Sequence, residues 1–384
     1  MVRKQIDIHE AIDRLHASAA GIGRRVTFME VCGTHTMSAF RSGLHSLMPE
    51  NVTLLSGPGC PVCVTAQGDI DLMIDLASHR EVTLCTYGDM MRVPGRRGSL
   101  EKARGGGADV RAVYSSTDAV KWARAQPDRQ VVFAAVGFET TAPATAAAVL
   151  RAQRENLGNF SVLASHKRVI PAMTGLLDSG QVNLDGFLCP GHVSVIIGPE
   201  SYRPIVERYG LPCVITGFEE LNMAAGLARL TEMVRARRCE LVNQYPEAVR
   251  QGGNRKAKAV LSEVFEPVEA RWRGLGAIPH SGLGLRDRFR EFDAVHRFDL
   301  TPPLDQEHPG CICGQVIRGV ATPHDCKLFG TACTPINPLG PCMVSSEGTC
   351  QAWFKYNRSR ESRPGAHSPG IHRTSPPPIE TAPA

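Results

Sequence analysis

The sequence predicts an α/β fold, with two similar parallel-sheet lobes facing a cleft and a loop-rich, cysteine-bearing C-terminal domain. Short β-rich runs ending in Gly, Pro or polar residues alternate with helix-length stretches from Arg25 to about residue 240, the pattern of βαβ units. The run VTFMEVCGTHT at 26–36 is echoed by VVFAAVGFETT at 131–141, and Leu84-Cys85 by Leu188-Cys189, at an offset of about 105 residues. That echo reads as a duplicated half, against the alternative that any two parallel sheets look alike. Past Pro267 apolar periodicity gives way to Gly, Pro and Cys.

In chain order, Ile6, Ile8, Ala11, Ile12 and Leu15 fall at helical spacing and predict an amphipathic first helix. The first lobe, residues 1–126, then carries the runs VTFMEVCGTHT, VTLLSGPGCPVC, VTLCTYGDM and VRAVYSS, with helices over 69–77 and 117–125. The second lobe, 127–240, carries VVFAAVGFETT, VLASHKRV, GFLCPGHVSVIIG and LPCVITGFEE. Strand ends in open parallel sheets deliver their loops to one edge, so the thiol motifs of the first lobe should line the cleft. Residues 221–248 show helical spacing, with Arg235, Arg237 and Arg238 near the middle, and connect the lobes to the rest. Residues 241–356 cannot hold themselves together by apolar burial alone, so a metal is their natural nucleus. The Pro- and Ser-rich stretch 357–384 reads as a disordered tail.

Composition sets bounds on partners. The chain has 384 residues, 42% hydrophobic and 21% charged, which are globular values that exclude a fibrous or disordered protein. A net charge of +5 is spread along the chain and not gathered into a basic run, so no nucleic-acid partner is expected. The N-terminus lacks the apolar core of a signal peptide and no stretch reaches the length of a membrane span, which predicts a cytoplasmic protein without a membrane partner. Thirteen cysteines in a reducing compartment point to metal ligation or thiol chemistry and away from structural disulfides.

The last six cysteines are Cys311, Cys313, Cys326, Cys333, Cys342 and Cys350, set in Gly- and Pro-rich sequence. Four thiolates on irregular backbone suit a [4Fe-4S] cluster, because such loops can aim N–H groups at the sulfurs. Cys326, Cys333, Cys342 and Cys350, at similar intervals, are the expected ligands, making 241–356 an iron–sulfur domain. A structural zinc site is the alternative, which Cys311-x-Cys313-Gly supports. In Gly57-Pro-Gly-Cys60-Pro-Val-Cys63 two thiols stand three positions apart at a strand-to-helix junction, a setting for reversible disulfide chemistry. The same pair is half of a zinc knuckle with no second half nearby.

Cys32 stands alone where the first strand should end. With Gly33 freeing the turn and His35 beside it, its thiol is expected to be exposed, deprotonated and open to a metal; the alternative is a small core residue. Cys85, Cys189, Cys213 and Cys239 lie in or beside apolar runs and read as core. Asp89, Glu139, His166 and His192 can face the cleft or serve as cap and turn residues. No phosphate loop of the Gly-x-x-x-x-Gly-Lys-Ser/Thr kind appears, which argues against direct ATP use.

Cys-Gly-Thr-His-Thr at 32–36, Gly-Pro-Gly-Cys-Pro-Val-Cys at 57–63, Gly-Phe-Glu-Thr-Thr at 137–141, Pro-Gly-His-Val-Ser at 190–194 and the C-terminal Phe-Gly-x-x-Cys-Thr-Pro…Pro-Cys-Met-Val-Ser-Ser-Glu-Gly-x-Cys run together resemble the HypD family of hydrogenase maturation proteins. The resemblance runs from the first helix to about Tyr356. It implies a scaffold on which the Fe(CN)2CO group of [NiFe]-hydrogenase is built, with the chaperone HypC and the cyanide donor HypE as partners. It further implies that Cys32 ligates the transient iron jointly with a HypC cysteine. Cys60 and Cys63 would be the redox dithiol, and Cys326, Cys333, Cys342 and Cys350 would hold the cluster.

Overall fold

A computed structural model describes residues 7–357, so the expected tail lies outside the described residues. Two parallel sheets form the body. The first runs in the order β2 (Val52–Ser56), β1 (Val26–Glu30), β7 (Gly186–Pro190), β8 (Cys213–Thr216) and β9 (Leu241–Asn243). The second runs β4 (Asp109–Ala112), β3 (Val82–Thr86), β5 (Gln130–Gly137) and β6 (Phe160–His166). Every pairing within them is parallel, for example Val26 opposite Val52 and Val131 opposite Phe160. Strands covered on both faces need unbroken apolar runs, and β5, with seven of its eight residues buried, has one.

The sheets do not part at residue 126. After β2 the chain leaves through the helices Pro61–Val64 and Gln67–Ala77 and starts the second sheet with β3 and β4, which β5 and β6 then extend. Only at β7 does it return to lie beside β1. The echoing segments are thus strands of different sheets, β1 with β5 and β3 with β7. One continuous buried cluster spans both sheets, from Met29 and Phe187 of the first to Val132 and Ala134 of the second, with Cys60, Cys63 and Phe138 between them.

The first helix, Ile8–Ala20, begins where the Asp7 side chain accepts the Glu10 amide at 2.8 Å. Its buried stripe of Ala11, Leu15 and Ala19 packs on the helix Glu220–Arg235 behind the first sheet, and Arg14 clasps Glu232 beside it. The long helix expected to reach Ala248 stops at Arg235. Arg237 adopts φ 51°, a left-handed turn that breaks the ladder, and Leu241–Asn243 then joins the sheet as β9.

An antiparallel hairpin that the sequence pattern does not announce follows, formed by β10 (Phe265–Trp272) and β11 (Gly276–Leu285). Two prolines, Pro267 and Pro279, and a register irregularity between Val268 and Ala270 disguise its alternation. Beyond it, short turns and the helices Cys313–Ile317 and Thr349–Tyr356 carry the last six cysteines. Among the described residues, no helix is long and apolar enough to cross a membrane.

Candidate functional site

The C-terminal ends of β1 and β2 lie side by side and present the first two thiol motifs together. Gly59 lets the second loop press onto the first, since a Cβ there would stand 2.1 Å from the Cys32 amide nitrogen. The Gly33 amide donates to the Gly59 carbonyl at 3.1 Å, which fixes that approach. Cys60 caps the single-turn helix Pro61–Val64, its sulfur accepting the Cys63 amide at 3.3 Å. The dithiol therefore stands at a strand-to-helix junction as its spacing implied, and both of its thiols are buried.

Cys32 departs from expectation. It lies at the N-cap of the helix Gly33–Arg41, but its side chain is buried. Burial, with the carboxylates of Glu347 and Glu30 nearby, pushes its thiol up to about 12, so the metal-free thiol keeps its proton at neutral pH. Gly33 and His35 do not open the site to solvent, because the C-terminal segment covers it. Thr34 donates to Glu347 at 2.7 Å, and a Cβ on Gly33 would stand 2.4 Å from the Glu347 Cβ. The helix Thr349–Tyr356 packs on the Cys32 helix, with Trp353 and Phe40 ring centroids 5.6 Å apart.

Glu30, which the sequence reading did not single out, lies fully within this site. Its carboxylate accepts the Cys32 amide at 2.8 Å and the Thr36 hydroxyl, and burial raises it to about 7. His35 is also buried. Its Nε2 donates to the Gly217 carbonyl at 2.9 Å, because a carbonyl can only accept, while its Nδ1 has no hydrogen-bond partner. Desolvation lowers the imidazole to about 4, leaving it neutral at physiological pH. Phe218 meets both imidazoles, tilted against His35 at a centroid separation of 4.7 Å and stacked on His192 at 3.8 Å.

All six C-terminal cysteines line one cavity, whose remaining wall is Ile312, Val316, Leu328, Phe329, Gly340 and Met343. The expected quartet of Cys326, Cys333, Cys342 and Cys350 is there, and so are Cys311 and Cys313. The Cys333 sulfur accepts the Leu339 amide at 3.4 Å and Cys342 the Cys350 amide at 3.2 Å. Sulfur donors, amide N–H groups aimed at them and an apolar wall without carboxylate or imidazole are what a cysteine-ligated cluster requires, so the residues present fit one.

Cys342 is the hub of this cavity. The thiols of Cys313, Cys350 and Cys63 lie against it, and their proximity holds it well below the ordinary thiol range. Burial and the contact with Cys342 push Cys63 up in turn. The Cys60/Cys63 turn thus touches the cavity directly through Cys63 and Cys342. Nothing in the spacing of either motif signals that contact.

The remaining candidates scatter. Cys85, Cys189 and Cys213 are core residues as read, but Cys239 is exposed, because it precedes the edge strand β9. Asp89 accepts the Ser345 hydroxyl at 2.9 Å and so also meets the C-terminal segment. Glu139 is buried with its carboxylate toward the Val169 amide at 3.2 Å, and His166 is buried against Thr145 at 2.9 Å.

Comparison with known proteins identifies what this arrangement is similar to. The family model HypD, described as the hydrogenase formation hypA family, matches residues 6–357. The hydrogenase maturation factor HypD of Azotobacter vinelandii is 49% identical over 353 residues, covering 90% of this chain and 93% of that protein. The Escherichia coli K12 protein of the same name is 44% identical over 340 residues, covering 88% and 91%. A putative hydrogenase expression/formation protein of Methanocaldococcus jannaschii is 42% identical over 352 residues, covering 91% and 97%.

Proposed function

The chain belongs to the HypD family of hydrogenase formation proteins, and from that premise we propose that it is a cytoplasmic scaffold on which the Fe(CN)2CO group of [NiFe]-hydrogenase is assembled. Its partners in this reading are the chaperone HypC and the cyanide donor HypE. The observation that carries the reading is the adjacency of the three thiol motifs: the Cys60/Cys63 loop presses on the Cys32 backbone, and Cys63 lies against Cys342 of the six-thiol cavity.

Cys32 serves as the berth for the iron cargo. A soft thiolate suits low-spin iron(II) that carries cyanide and CO better than a carboxylate would. Loading must displace the proton that burial holds on Cys32. Glu30 and Glu347 flank the sulfur, while His35, neutral and fixed to Gly217, positions the start of the helix. Cys60 and Cys63 close to a disulfide by giving up two protons and two electrons, and open by taking them back.

Cys326, Cys333, Cys342 and Cys350 would hold a [4Fe-4S] cluster in the cavity, and when bound it would supply single electrons at low potential. The reading is tested by isolating the chain anaerobically with HypC and recording the infrared spectrum. Stretching bands of iron-bound CO and cyanide are expected, and they should disappear when HypE is absent from the producing cells. A complex with neither band, and with no iron beyond the C-terminal cavity, contradicts the scaffold role.

A further inference from the structure

We propose that Arg273 is the positioning residue that holds the Cys60/Cys63 turn in its dithiol arrangement against the six-thiol cavity, and so sets how readily that pair closes. The inference rests on the reading of Cys60 and Cys63 as a redox pair and adds the residue that tunes it. Arg273 sits at the tip of the β10–β11 hairpin, and its side chain is only 2% exposed. A buried guanidinium must place its five donors on acceptors or destabilise the fold. Here all but one of the acceptors belong to the segment that directly follows Cys63.

The Arg273 amide donates to the Val64 carbonyl at 2.9 Å. Its Nε donates to the Thr65 carbonyl at 3.2 Å and its Nη2 to the Gln67 Oε1 at 3.0 Å. Val64 and Thr65 end the one-turn helix that Cys60 caps, so these are carbonyls the helix itself leaves unsatisfied. Nη1 pairs with Glu307 at 3.4 Å, on the strand of chain that leads to Cys311. On the other side of the tip, a Cβ on Gly274 would stand 2.5 Å from the Gly314 carbonyl oxygen, so the two backbones touch next to Cys313. The hairpin tip is thereby wedged between the dithiol turn and a wall of the cavity.

Both cysteines of the turn are free in this arrangement. Contacts made in one state and weakened in another bias the equilibrium toward the first. When glutathione disulfide oxidises the pair, the two S–H bonds give way to one S–S bond, and two protons and two electrons pass to form two molecules of glutathione. Closing the pair must reorient the Cys60 sulfur that now accepts the Cys63 amide, within the turn whose carbonyls Arg273 grips. Arg273 therefore opposes closure, and its removal should favour the disulfide.

The test equilibrates the full-length, anaerobically purified protein in glutathione buffers, traps thiols with a maleimide and weighs the peptide carrying Cys60 and Cys63. Arg273→Met is expected to raise the oxidation constant at least ~10-fold, which lowers the potential by about 30 mV for a two-electron couple. Arg273→Lys should shift it in the same direction, because an ammonium cannot span Thr65 and Gln67 as the planar fork does. Gln67→Leu, which removes one acceptor, should give a smaller shift of the same sign.

A folded Arg273→Met protein that titrates like the wild type overturns the proposal. Should that variant fail to fold, unchanged titration of both Arg273→Lys and Gln67→Leu overturns it equally. Full restoration by lysine relative to methionine would assign the effect to charge and not to the fork, and also overturns it. A wild-type pair that never closes in any glutathione buffer removes the dithiol reading itself, and this inference with it.

Discussion

Replacing Cys32 with alanine is expected to abolish [NiFe]-hydrogenase maturation while leaving the visible absorbance of the C-terminal domain intact. The thiol makes no capping hydrogen bond to the helix it precedes, so its removal should cost only ~1 kcal/mol of burial and leave the fold in place. What is lost is the sulfur itself, set at a strand end where Glu30 and Glu347 flank it. Alanine offers iron no donor in its place. Complementation of a strain lacking its own family member, scored by hydrogen uptake, measures the effect. Normal uptake would remove Cys32 from the site.

The second large effect is expected at Cys342. Substitution by serine replaces the sulfur on which Cys63, Cys313 and Cys350 converge with a harder, poorly ionised oxygen. The visible absorbance should bleach, and the iron bound in the absence of HypC should be lost. Because few apolar side chains support residues 301–357, loss of the metal should also open that segment to proteolysis. Retention of the wild-type spectrum and iron content would place Cys342 outside the ligand set.

Much of this arrangement could be read from residue order, and the parts that could not have a common cause. The strands were legible because fully buried parallel strands are near-continuous apolar runs, as in VVFAAVG at 131–137. Their division between two sheets was not, because pairing partners are chosen in space: β7 lies beside β1 although five strands intervene in sequence. The helix predicted through Ala248 failed at Arg237, where a non-glycine residue adopts a left-handed turn that no propensity signals.

The thiol groups followed the same rule. The shared turn of Cys60 and Cys63 was legible because their spacing is local, and the Gly- and Pro-rich C-terminal run signalled that its cysteines gather. The burial of Cys32 was not, since the residues that cover it, from Ser345 to Trp353, come from the far end of the chain. Glu30 carried no signal in a strand otherwise read as apolar, yet it is the acidic side chain that bonds to the Cys32 backbone. The contact between Cys63 and Cys342 joins two motifs that each looked complete alone.

Two separate sulfur sites for iron, one resident and one for cargo, are the core of the account, and elemental analysis with an absorption spectrum of oxygen-free wild-type protein examines them most directly. Brown protein containing iron and acid-labile sulfide in equal amounts, with extra iron only when HypC is present, is the expected result. A colourless preparation that holds zinc and no sulfide would contradict it.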